Sequence, residues 1–263
     1  MEKSIASISR SAEILKCLSD GINRISDISQ KLKMGKSTVH RLLKALESAK
    51  LVIQDPVTHH YYLGSLIINL ASKPLIAHQN LNVCALESLT YLREFTRETV
   101  ILHIRIGVER ICLEELQSLE NIKFSAGKGY VAPIYTGSAG KVLLSEISEI
   151  ELQQLLENIN LKAIAPNTIT NKDELLKEIK KAKKQGYAMS FGERVSKSSS
   201  VSVPIKEYIC PVAMSILGPD NRFTLERMKA ALVEMKKEAK RISEKLIKTN
   251  SYALGCDGQN SNR

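Results

Sequence analysis

Apolar residues recur at the spacing of one helical face through most of the first fifty positions. Ile5, Ile8, Ala12, Leu15 and Leu18 stand opposite Ser7, Arg10, Glu13 and Lys16, which predicts an amphipathic first helix ended by Gly21. Ile25, Ile28 and Leu32 predict a short second helix broken at Met34-Gly35. Val39, Leu42, Leu43 and Leu46 mark the inner face of a third helix that begins near Ser37. The runs Leu51-Val52-Ile53 and Tyr61-Tyr62-Leu63 flank the turn-rich stretch 55–60, the pattern of a hairpin. Three helices and a hairpin make a winged helix-turn-helix over residues 1–64. Leu66, Ile67, Leu70 and Ala71 form a further stripe, a linker helix within 65–79 that Pro74 ends because proline cannot continue the hydrogen-bond ladder.

The remainder alternates between periods. A helix is predicted over about 81–97, then a strand through Val100, Leu102, Ile104 and Ile106, a turn at Gly107 and a partner strand over 111–116. A glycine-rich stretch spans 125–140, with helices over about 139–145, 148–158 and 172–185. Strand-like segments follow at 187–191, 201–205 and 211–217. Strands interspersed with helices predict an α+β fold, so residues 80–250 are read as one domain with a mostly antiparallel sheet flanked by helices. Leu225, Met228, Leu232, Met235, Ala239, Ile242 and Leu246 form a heptad-like seam on a long final helix, suited to the domain's own sheet or to a coiled-coil dimer. Residues 251–263, rich in Asn, Gly and Ser, read as a frayed tail.

Charge sharpens this picture. The chain of 263 residues carries 38 basic and 28 acidic side chains, and the first 75 residues hold 11 and 6 of them, so the excess is concentrated in the smaller domain. Such a surplus suits a polyanionic partner, although a solvated lysine-rich surface has the same composition. Five cysteines at 17, 84, 112, 210 and 256 never form a C-x-x-C pair, which favours reduced thiols over a disulfide framework or a zinc knuckle. No stretch approaches the roughly 18 apolar residues of a membrane span, and a cytoplasmic protein without metal or cofactor is expected.

In a helix-turn-helix the second helix of the pair enters the major groove of double-stranded DNA. Here Lys36, Ser37, Thr38, His40, Arg41 and Lys44 lie off the apolar stripe of the third helix and supply cations, hydroxyls and a helix N-terminus for phosphates and base edges. His59 and His60 at the wing tip would face the same backbone, or could hold a metal.

These residues resemble the IclR-type transcriptional regulators. Lys36-Ser37-Thr38-Val39-His40-Arg41-Leu42-Leu43 is similar to that family's recognition helix, and Tyr62-Leu63-Gly64 to the end of its wing. The stretch 133–144, Gly186-Tyr187-Ala188 and Ser215-Ile216-Leu217-Gly218-Pro219 resemble its loop-helix segment, a strand start and the last strand, so the likeness runs in register over about residues 5–248. The resemblance implies a GAF-like C-terminal domain, a homodimer or dimer of dimers, and a small organic acid as effector that alters operator binding. It also places Ser190, Ser200, Ser215 and Leu217 where members that bind very small oxo-acids have an aspartate, a cysteine and two serines. Gly137, Ser138 and Ala139, where a loop enters a helix, make a natural seat for a carboxylate. With serine in place of the aspartate and leucine in place of a serine, a less polar wall is expected, and hence a carboxylate with an apolar body, such as an aromatic or longer-chain acid.

Enzymatic patterns are thinner. Ser138 and Lys141 fit S-x-x-K, which leaves a serine acyl hydrolase as the alternative, but the accompanying S-D-N and K-T-G elements are missing. The stretch 127–132 loosely fits a dinucleotide loop, yet Pro133 stands where a helix should open. An oligomeric adaptor acting through the final helix is a third reading.

Overall fold

The computed structural model describes residues 2–254, with side chains described for 6–249. Contacts divide the chain into two compact units, 1–77 and 78–263.

The first unit contains α1 (Glu2–Ser19), α2 (Ile25–Leu32), α3 (Lys36–Ser48), β1 (Val52–Gln54), β2 (Tyr61–Leu63), α4 (Ser65–Ala71) and α5 (Pro74–Ala77). β1 and β2 pair antiparallel as the expected hairpin. Val39, Leu42, Leu43 and Leu46 of α3 enter one core with Ile14, Cys17, Leu18, Ile28, Val52 and Tyr61. The stripe expected on α1 is corrected: Ile14, Cys17 and Leu18 are buried, whereas Ile8 is 69% exposed and Ala12 is also exposed. Only the C-terminal half of α1 lies over the core, so apolar residues nearer its start have nothing in this unit to pack on; the Ile5 side chain lies outside the described residues. The linker helix is also corrected, to two short helices with no buried residue, and Pro74 opens the second instead of ending the first. Proline suits a first helical position, where its missing N–H costs nothing.

The second unit comprises α6 (Gln79–Thr96), β3 (Thr99–Ile106), β4 (Glu109–Leu116), β5 (Val131–Pro133), α7 (Gly137–Ser145), α8 (Glu149–Asn158), α9 (Lys172–Gln185), β6 (Ala188–Phe191), β7 (Ser198–Ile205), β8 (Val212–Pro219) and α10 (Leu225–Leu254). The six strands form one sheet in the order β5-β4-β3-β8-β7-β6, and every neighbouring pair is antiparallel. β5, unforeseen in the glycine-rich stretch, is a three-residue edge strand. α7 and α9 pack with the sheet on one side, and α6 and α10 pack together against β3, β4 and β7. The seam of α10 is therefore spent within its own domain: Met228, Met235, Ile242 and Leu246 are fully buried, while Leu225 is exposed. α9 shows why its boundaries were legible. The Asn171 side chain accepts from the N–H groups of Asp173 and Glu174, and Gly186 closes the far end with φ +74°. Residues 251–254, read as tail, continue α10; 255–263 lie outside the described residues. Among the described residues no helix is long and apolar enough to cross a membrane.

Candidate functional sites

α3 presents its polar face outward because its four apolar residues are committed to the core. Lys36, Ser37, His40, Arg41 and Lys44 are exposed and Thr38 is half-buried. Lys44 differs from the others in being tied down, with Nζ 2.8 Å from Glu47 Oε2 and 3.3 Å from Gln54 Oε1. This hydrogen bond holds the Glu47 carboxyl below and the Lys44 ammonium above its usual range. Lys36 and Arg41 have no ion-pair partner among the described residues, so their charge is free for a polyanion. At the wing tip, Asp55 accepts from the N–H of Val57 at 2.8 Å and from the Thr58 hydroxyl at 2.8 Å, which shapes the turn and lowers its own pKa. The two wing histidines part company. His59 sits exposed at φ +55°, while His60 Nε2 accepts from Arg24 Nε at 2.9 Å. Arg24, at the N-cap of α2, is a basic residue of this face that the helix pattern did not single out, because it lies just outside the periodic segment.

In the second unit, Gly137, Ser138, Ala139, Ser190, Ser200, Ser215 and Leu217 all line one cavity of about 40 Å³. Strand register explains the convergence. Ser190 pairs with Ser200, Ser200 with Leu217, Ser202 with Ser215 and Ser215 with Ile101, so residues two apart on each strand share one face. Gly137 enters α7 at φ +72°, a conformation that strains any residue with a side chain. Gly140 lets α7 lie against the preceding loop, for a Cβ there would stand 1.8 Å from the Ile134 carbonyl oxygen. Ser138 Oγ lies 2.7 Å from both Ser200 Oγ and Ser202 Oγ, and Ser202 Oγ lies 2.7 Å from Ser215 Oγ, a chain of hydroxyls beneath the helix N-terminus.

Six further lining residues escaped the sequence reading, Val195 and Ser198 among them. Ile101 and His103 come from β3, Arg110 from β4 and Arg194 from the segment 192–197 that follows β6. Arg110 is 4% exposed, and one terminal nitrogen donates to the Pro133 carbonyl at 2.7 Å and to the Thr136 hydroxyl at 3.2 Å. Burial, then the nearby Arg194, pulls the Arg110 guanidinium down to about 9. Burial pushes the His103 imidazole well below its usual range, and Arg110 and Arg194 push it further, so His103 is neutral. A lone arginine next to the apolar run Ile111-Cys112-Leu113 was the available signal for Arg110.

Ile101, Val195 and Leu217 form an apolar wall, and Leu217 packs with Ile101 and Cys112. At about 40 Å³ the cavity is small, with room for only a few water-sized groups. An aromatic acid, as expected from the sequence, would need the lining to move apart. Ser138 and Lys141 make no mutual hydrogen bond. Lys141 Nζ lies 2.5 Å from Glu193 Oε1 and 3.2 Å from the Met189 carbonyl, whereas Ser138 bonds to the serines of β7.

Known proteins agree with both halves. The IclR helix-turn-helix domain matches residues 7–56, and the bacterial transcriptional regulator IclR C-terminal domain matches 74–244. The chain is 30% identical over 230 residues to the HTH-type transcriptional repressor AllR of Escherichia coli strain K12, covering 86% of this chain and 84% of that one. Its fold is similar to the crystal structure of Thermotoga maritima IclR, with a TM-score of 0.62, 28% identity, and coverage of 92% of this chain and 99% of the other. It is also similar to an IclR homolog from Microbacterium hydrocarbonoxydans complexed with 4-hydroxybenzoate, with a TM-score of 0.60, 21% identity and the same coverage. The chain therefore belongs to the IclR family: it is a DNA-binding transcriptional regulator, not an enzyme, with a helix-turn-helix and a C-terminal effector-binding domain.

Proposed function

We propose that this regulator binds a double-stranded operator through Lys36, Ser37, Thr38, His40, Arg41 and the wing, and that a small carboxylate seated in the cavity at the start of α7 alters that binding. The observation that carries the effector reading is the cavity itself, where first-turn N–H groups, a hydroxyl chain and a buried guanidinium converge. The complex of the Microbacterium homolog with a carboxylic acid supports the ligand class. The working assembly is a homodimer or a dimer of dimers, acting in the cytoplasm. A dimer places two recognition helices one DNA turn apart, and exposed Ile8, Leu66, Ile68 and Leu70 in the first unit are suited to a second copy.

Arg41→Ala and Lys36→Ala test the DNA face. Each should weaken operator binding and lower the slope of log affinity against log salt by about one unit if it neutralises a phosphate. If Arg41 touches a base edge, its loss should also relax specificity at one position by about 1–3 kcal/mol. Unchanged affinity in both variants at moderate salt would remove α3 from the interface.

A further inference from the structure

Among the described residues, no carboxylate forms an ion pair with the cations that line the cavity. Arg110 is buried there, and its Nε has no hydrogen-bond partner among the described residues. One of its terminal nitrogens lies 3.9 Å from the point where a side chain would begin at Gly137, which sets the guanidinium beside the N-terminus of α7. Arg194 is half-buried at the same cavity, 5.2 Å over the Tyr130 ring, and has no carboxylate partner among the described residues. His103 Nδ1 is buried and unpartnered as well. No aspartate or glutamate lines the cavity. The neighbouring carboxylate, Glu193, is engaged by Lys141 at 2.5 Å, so that pair cancels itself.

From these contacts we infer that the effector is a compact dianion, held between the Arg110 and Arg194 guanidinium groups with the first turn of α7 and the serine hydroxyls completing its coordination. This rests on the cavity being the effector seat. A monocarboxylate would match one guanidinium and leave the other without a counter-charge; a charge of −2 matches both, and charge-assisted hydrogen bonds are the strong ones. The depressed pKa of Arg110 agrees, since a cation made costly by burial and by a like neighbour gains most from a counter-anion. A cavity of about 40 Å³ favours the most compact dianions, a two-carbon dicarboxylate or a tetrahedral oxyanion, over bulkier ones.

Calorimetry on the full chain, with oxalate and sulfate as dianions and glyoxylate as a monoanion of similar size, tests this. At least one dianion should bind about tenfold tighter than glyoxylate, and Arg194→Gln should bring the affinities within about threefold. Oxalate ahead of sulfate identifies a dicarboxylate, and the reverse a tetrahedral oxyanion. Glyoxylate binding as tightly as either dianion overturns the dianion alone and leaves the effector seat standing, and a preference unchanged in Arg194→Gln overturns it too. Binding of none of the three overturns both readings. Arg110→Gln should abolish the preference as well; Arg194, at the less buried side, gives the decisive variant if Arg110→Gln does not fold.

Discussion

The Lys141→Met substitution separates two roles that the sequence allowed for this lysine. Its side chain is 3% exposed and that of Glu193 is 9%, so neither charge has water to fall back on. Glu178, 3.5 Å away and 34% exposed, is a weaker third member. Methionine keeps much of the lysine stem but leaves the Glu193 carboxylate buried with neither oxygen bonded, because its Oε2 already has no partner among the described residues. Breaking a buried pair by removing one partner costs about 3–5 kcal/mol. For a unit of this size each kcal/mol shifts the melting temperature by about 2–4 °C, which gives a fall of roughly 6–20 °C. The double variant Lys141→Met/Glu193→Gln carries no buried charge at this position and should recover most of the loss, with a coupling of about 1–3 kcal/mol. Scanning calorimetry of the wild type, both single variants and the double variant measures it. A Lys141→Met penalty below about 1 kcal/mol, or a double variant equal to the sum of the singles, would show that the pair does not hold this region together. The pair anchors the segment 192–197, which carries Arg194 and Val195 to the cavity, so Glu193→Gln should also weaken effector binding where a purely local role would not.

Three other outcomes follow from the same contacts. Gly140→Ala sets a Cβ against the Ile134 carbonyl, so α7 must shift; a loss of about 1–3 kcal/mol in denaturant titration, with weaker effector binding, is expected, and wild-type stability would mean that the approach is looser than drawn. His103 stays neutral when folded but takes up a proton at about pH 6.5 when unfolded, so stability is full above that pH and falls as pH drops below it. His103→Asn should flatten this dependence in melts between pH 7 and 5, leaving the smaller slope of His78, whose pKa burial also lowers; an unchanged slope would exclude His103 as its source. Leu217→Ser removes a buried apolar side chain from its contact with Ile101 and Cys112, which should cost about 2–4 kcal/mol in urea and change the affinity for small acids, whereas an identical unfolding midpoint would place Leu217 outside the packed wall.

Helices announced themselves wherever one face was committed to a core. The inner face of α3 was legible to the residue because its four apolar positions are all buried, and the bounds of α9 because its caps are written into the sequence as Asn171 and Gly186. α1 was not, since an 18-residue helix with apolar residues on two sides offers two stripes, and the choice depends on where the rest of the unit lies. β5 has three residues, one of them Pro133, and no local pattern of that length distinguishes an edge strand from a loop.

The cavity shows the same limit in a sharper form. Gly137 to Ala139 could be chosen from a local signal, a glycine-rich loop entering a helix, and the four strand positions came from family resemblance. Arg110 offered only an arginine beside an apolar run, and His103 no signal at all. They reach the cavity only because β3 lies between β4 and β8, an order that no window of sequence contains. Period two tells which residues of a strand share a face, but not which strands will be neighbours. The sequence therefore indicated an apolar wall and, through it, an acid with an apolar body, while the two guanidinium groups that set the charge of the site stayed out of view. On the dianion proposal, electrostatics outweighs the leucine once the strand order is known: burying Leu217 is worth about 1.5–3 kcal/mol, whereas an unmatched buried cation costs several.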